Sequence, residues 1–164
     1  MTFRFLPFMC SMLFSLTAVD VHAEWVFEEH ADDFSDEERS YARPDSVDLG
    51  KSASGLLVAV KCEEDGLNFL LLHSYVAGGD ADQVVVELRV DKNPPYGPRS
   101  WSLQGDHKHS YMPMAEVPDM IGQMTFGSKL AIRISDPSDG EVTTQSVLLG
   151  GFHHAVSQLG CHKS

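Results

Sequence analysis

The sequence predicts an α+β domain, mostly antiparallel β, arranged as a sandwich-like or strongly curved sheet with two short helices and one disulfide. Three observations carry this. Apolar runs with β periodicity recur between short turns over residues 55–91 and 128–149. Val117, Met120, Ile121 and Met124 form a stripe at helical spacing. Two cysteines, Cys62 and Cys161, remain once an apolar leader is set aside.

The leader is residues 1–23. Arg4 precedes an apolar run from Phe5 to Val19, and Val21-His22-Ala23 ends it with small residues before Glu24. That pattern reads as a secretory signal peptide cleaved after Ala23, leaving one exported domain over residues 24–164. A membrane anchor is the competing reading. The run is short for a bilayer span, and Asp20 interrupts its end. Cys10 leaves with the leader. The expected location is periplasmic or secreted.

Net charge is −12, and Arg4 and Asp20 cancel, so removing the leader leaves it unchanged. An acidic domain repels phosphate backbones and anionic lipid, so nucleic acid and membrane surfaces are excluded as partners. No membrane span is expected after cleavage. An even cysteine count in an exported chain points to a Cys62–Cys161 disulfide. It closes a loop of about 100 residues, worth roughly 4–5 kcal/mol in the chain-entropy model.

Residues 24–48 are acid-rich, with Trp25, Phe27, Phe34 and Tyr41 spaced among the carboxylates. They read as a solvated lead-in whose aromatics pin short strands to the core. A calcium loop is the sharper alternative, but "DDFSDEE" lacks alternating oxygen ligands and a central glycine. "GLLVAVKC" is apolar on both faces, which predicts a central strand. After the turn "EEDG", "LNFLLLHSYV" is its antiparallel partner, and "QVVVELRVD" follows "AGGDAD" as the third strand of a meander. The prolines of "KNPPYGPRS" predict a rigid loop before "WSLQ" and "HKHSYMP". A short helix is expected in "AEVPDMIGQMTFG", then strands "SKLAIRIS" and "VTTQSVLL" joined by "DPSDGE". A final helix is expected over residues 151–159, with Gly160 as its C-cap.

Several of these pieces occur together in one family. A tryptophan soon after the leader, "LLVAVKC", Arg89-Val90-Asp91, Trp101 and the ending "LLGGFHHAVSQLGCHKS" resemble the periplasmic accessory family associated with type VI secretion, the VasI/TagO type. The resemblance runs from about residue 56 to 161, through short motifs of largely structural residues. It departs in having only Gly160 between Leu159 and Cys161. It implies a non-enzymatic accessory or envelope factor, and it supplies no catalytic motif.

Two site readings follow. Arg89 and Arg99 bracket a proline-rigid loop carrying Tyr96, with Trp101 just behind. Rigid aromatics and arginines are common interface anchors, so these four are candidate contacts for an unidentified envelope or secretion-system protein. The competing reading places Trp101 in the core. The alternative function is a metal-binding protein or metal-dependent hydrolase. It would use His107 and His109, two apart on one strand face, with His153 or His154 from the last helix. No metalloprotease helix motif, nucleophile elbow or phosphate-cradling loop occurs. The sequence therefore favours a binding protein over an enzyme and implies no cofactor.

Overall fold

The computed structural model describes residues 24–35, 37–45 and 56–163. The leader lies outside these residues. Among the described residues nine strands form one antiparallel sheet: β1 (Trp25–Glu28), β2 (Tyr41–Pro44), β3 (Leu56–Glu63), β4 (Gly66–His73), β5 (Gln83–Val90), β6 (Tyr96–Leu103), β7 (His109–Tyr111), β8 (Lys129–Ser135) and β9 (Val142–Leu148). Helix α1 (Val117–Phe126) precedes β8, and α2 (Phe152–Val156) follows β9. None of these helices is long and apolar enough to cross a membrane.

The strands lie in the order β1-β2-β3-β4-β7-β6-β5-β8-β9. The predicted three-strand meander is therefore only partly present. β3 and β4 pair over their full length, but β7 and β6 stand between β4 and β5. β6 begins inside the proline-rich stretch expected to be a loop. Its Pro98 follows a cis peptide and sits where pairing with β5 shifts register between Val86 and Leu88. A bulge spares the ladder the amide that proline lacks, so an interior strand tolerates it.

Even-numbered residues of β3, β5 and β8 bury one face: Val58 and Val60, Val84 to Val90, and Leu130 to Ile134. Helix α1 adds Val117, Met120, Ile121 and Met124, the stripe its sequence predicts. Phe69 meets Trp101 edge-on at 5.7 Å, joining β4 to β6 across the core. The sheet curls far enough for its two edges to touch. Trp25 of β1 donates its indole N–H to the Leu148 carbonyl of β9 at 2.9 Å, and its backbone amide reaches Gly150 O. Phe152 of α2 packs edge-on against the same indole at 4.7 Å.

The Cys62–Cys161 disulfide is present, with Cα atoms 5.8 Å apart. It ties the C-terminal end to the central strand. α2 itself is shorter than expected. Five residues are helical, and Gly160 opens a 3₁₀ turn over Gly160–Lys163 rather than capping a continuous helix. Gly151, at φ 74°, provides the left-handed entry, and a Cβ there would fall 2.8 Å from Glu24.

Candidate functional site

The second face of β3 builds the site. Leu57, Ala59 and Lys61 alternate away from the core. Register sets Leu72 opposite Leu57 and Leu70 opposite Ala59. On the far side, β7 brings Tyr111 beside Leu70 and His109 beside Leu72. On the near side, β2 brings Tyr41 beside Lys61. The result is an open cleft of about 860 Å³ with an aliphatic floor. Its floor residues explain why β3 is apolar on both faces: one face feeds the core and the other floors the cleft.

The rim is charged and internally paired. Arg43 forms an ion pair with Glu28, and Tyr41 donates its hydroxyl to the same carboxylate. The Tyr41 bond, with help from Arg43, holds the Glu28 carboxyl below the usual range and pushes the Tyr41 phenol up. Lys61 Nζ lies 3.0 Å from Glu63, which also accepts Tyr111 Oη at 3.2 Å. Burial, then the neighbouring Glu63 charge, pushes Tyr111 up to about 12. Arg39 leans on Glu37 at 3.0 Å. His109 Nδ1 is 3.2 Å from Asp106, whose carboxyl is held low by the Lys108 amide and by that histidine.

Both phenols are thus neutral donors at ordinary pH, beside cations paired with neighbouring carboxylates. Such a cleft accommodates a ligand with an apolar body and a polar edge. Its described lining contains no serine, threonine or cysteine, so it offers no hydroxyl or thiol nucleophile outside the two phenols.

One histidine–serine pair does exist, and the sequence reading missed it. His73 Nε2 and Ser110 Oγ are 2.9 Å apart across β4 and β7. They come together because β7, from much later in the chain, docks on β4. Both are fully buried, and His73 Nδ1 has no hydrogen-bond partner. Burial first, then His109, lowers His73 to about 4, against an opposing pull from Asp136. Asp136 itself accepts from the Gly78 and Ser138 amides and the Ser138 hydroxyl. No carboxylate orients the imidazole and no substrate reaches the serine, so this is a core pair rather than a catalytic one.

The four loop candidates separate. Trp101 is wholly buried, so it belongs to the core and shows no face to a partner. Arg89 Nε donates to the Asn93 carbonyl at 3.0 Å and locks its own loop. Tyr96 and Arg99 do converge, both on Glu116. They border a smaller hollow of about 480 Å³ with Pro94, Pro95 and Met120. Burial and the Glu116 bond push Tyr96 up to about 12.

The histidine cluster does not assemble. His107 sits in a turn at φ 56°, not on the strand, and its ring faces Ala77 O at 3.0 Å and Asp82 at 3.5 Å. His109 turns to the cleft, while His153 and His154 are exposed on α2. Among the described residues no three His, Cys, Asp or Glu side chains are placed to hold a metal ion. In the acidic lead-in, Asp32 accepts from Phe34 and Ser35 within a turn, and Phe34 is fully exposed rather than pinned to the core.

Fold and site define a disulfide-stapled α+β domain whose antiparallel sheet curls around one core and opens a cleft on its outer face. No protein-family profile matches the chain, and no curated protein matches it in sequence. Among solved structures, it is similar to the crystal structure of invasion associated protein b from Bartonella henselae, with a TM-score of 0.55. The match is 12% identical and covers 90% of this chain and 99% of that one. At that identity the likeness shows the fold alone.

Proposed function

We propose that this chain is an exported, non-enzymatic binding domain that holds an envelope or secretion-system protein in the cleft over β2, β3, β4 and β7. The single observation that carries the reading is the cleft itself. It joins a buried aliphatic floor to a rim of tyrosines and paired cations, while the histidine–serine pair is sealed in the core. Clefts of this size and mixed lining suit recognition. The leader-like residues 1–23 and the Cys62–Cys161 bridge support export to an oxidising compartment. The sequence resemblance to the type VI secretion accessory family supports the choice of partner, and the neighbour's designation as invasion associated is in keeping with an accessory role.

The test is capture of envelope proteins on immobilised domain. Leu72→Asp and Lys61→Glu charge the floor and reverse the rim, and both are expected to abolish recovery of the wild-type partner. Tyr96→Ala with Arg99→Ala is expected to leave it intact. Loss only in the Tyr96 and Arg99 variants moves docking to that loop, and no loss in either set ends the binding-cleft reading. Intact mass of the exported protein checks export: a chain beginning at Glu24 is expected.

A further inference from the structure

Inside the cleft, two donors from strands far apart in the chain converge on one oxygen atom. Lys61 Nζ of β3 lies 3.0 Å from Glu63 Oε1, and Tyr111 Oη of β7 lies 3.2 Å from the same atom. They meet because β3, β4 and β7 lie side by side, with Ala59 opposite Leu70 and Leu70 opposite Tyr111. The Tyr111 phenol, pushed up to about 12, keeps its proton and donates it. Together the ammonium and the hydroxyl form a seat for a carboxylate, positioned by the sheet rather than by a loop.

Away from the seat the cleft is apolar. Outward residues of β3 run Lys61, Ala59, Leu57, so the aliphatic floor starts one outward position from the ammonium. Leu70 and Leu72 widen that floor on β4. Glu63 fills the seat only loosely. It lies two residues from Lys61 on the same strand face, both side chains are partly exposed, and it ends β3 just before the turn at Glu64 and Asp65. Ion pairs this exposed stabilise little. The other tyrosine–cation pair, Tyr41 and Arg43, is engaged differently: its carboxylate, Glu28, comes from β1 and lies outside the cleft lining.

We propose that an acidic side chain on an apolar segment of the partner protein enters this seat in place of Glu63, while its apolar neighbours lie on Leu57, Leu70 and Leu72. This rests on the cleft being the binding site. Glu63 is then a placeholder that keeps both donors satisfied in the free domain. The incoming carboxylate displaces it because it arrives with aliphatic surface that Glu63 does not bring. Charge complementarity here is local. The net charge of −12 is spread over the chain, and exposed charges are screened beyond about 8 Å at physiological salt. Once displaced, Glu63 joins Glu64 and Asp65 at the turn, so its own charge opposes the exchange.

The experiment is an NMR amide-shift titration of the disulfide-bonded domain with Ac-Leu-Leu-Asp-NH2 and its neutral isostere Ac-Leu-Leu-Asn-NH2. Amides of Leu70, Leu72 and Tyr111 report on the cleft. The acidic peptide is expected to bind at least about tenfold tighter. Lys61→Met is expected to erase that preference. Glu63→Gln is expected to tighten the acidic peptide about threefold and leave the neutral one unchanged. The same spectra check the fold, and Tyr111→Phe replaces Lys61→Met if that variant is disturbed. Equal affinities, a preference for Ac-Leu-Leu-Lys-NH2, or weaker acidic binding in Glu63→Gln overturns the proposal while leaving a cleft that binds. No shift at these amides with any peptide also overturns it, and capture with Leu72→Asp then judges the binding reading on its own.

Discussion

His73 makes the domain's stability depend on pH in a way that can be worked from the structure. Its side chain is fully buried, one ring nitrogen is engaged with Ser110 and the other has no partner. Burial lowers its pKa from 6.5 to about 4. Between those values the unfolded chain takes a proton that the folded chain refuses, so unfolding gains as pH falls. The stability is complete above pH 6.5, declines through pH 5, and is lost once pH reaches about 4. Full loss is about 3 kcal/mol. Most carboxylate-linked loss falls lower, because Glu28, Asp32, Asp106 and Asp136 all have lowered pKa values. Urea unfolding at pH 7.5, 6.5, 5.5 and 4.5, for wild type and His73→Gln, isolates the histidine. Glutamine keeps a hydrogen-bonding side chain near Ser110 but does not titrate. The wild type is expected to lose about 2–3 kcal/mol more than the variant between pH 7.5 and 4.5. Parallel decline of the two proteins refutes the reasoning, because the proton is then taken up elsewhere.

Other perturbations have equally definite outcomes. Cys161→Ser opens a loop of 99 positions, for a loss of about 4–5 kcal/mol, and calorimetry is expected to show Tm falling by about 10–20 °C. Reductant then lowers the wild type but leaves the variant unmoved. Trp101→Ala empties the junction with Phe69 and is expected to cost about 3–5 kcal/mol in urea unfolding, with no direct effect on any docking surface. Asp136→Ala strands the buried Gly78 amide, and the same measurement is expected to show a loss of about 2 kcal/mol.

How far the sequence reached depends on how local each determinant is. β3, β4, β8, β9 and α1 are legible because their apolar periods are complete within each segment. The alternation on both faces of β3 already contained the cleft floor, although Leu57 and Ala59 read only as the marks of a central strand. The cleft walls were not legible. Tyr111 and His109 arrive through β7, whose pairing with β4 depends on the order of strands rather than on any local pattern. The same insertion joins His73 to Ser110, residues 37 apart, and separates the expected meander. β6 was hidden for another reason: Pro98 forbids a regular central strand, and only the register shift on β5 makes room for it. The histidine pair failed because His107 adopts a left-handed turn, breaking the alternation that put His107 and His109 on one face.

The bond from the Trp25 indole to Leu148 spans 123 positions. A chain that emerges amino end first carries its earliest strand long before the residue that will receive it exists. The same is true of Cys62, which waits for Cys161. Neither closure can form until the later residue has been made, so a stop before Leu148 leaves β1 without this anchor, and a stop before Cys161 leaves Cys62 unpaired.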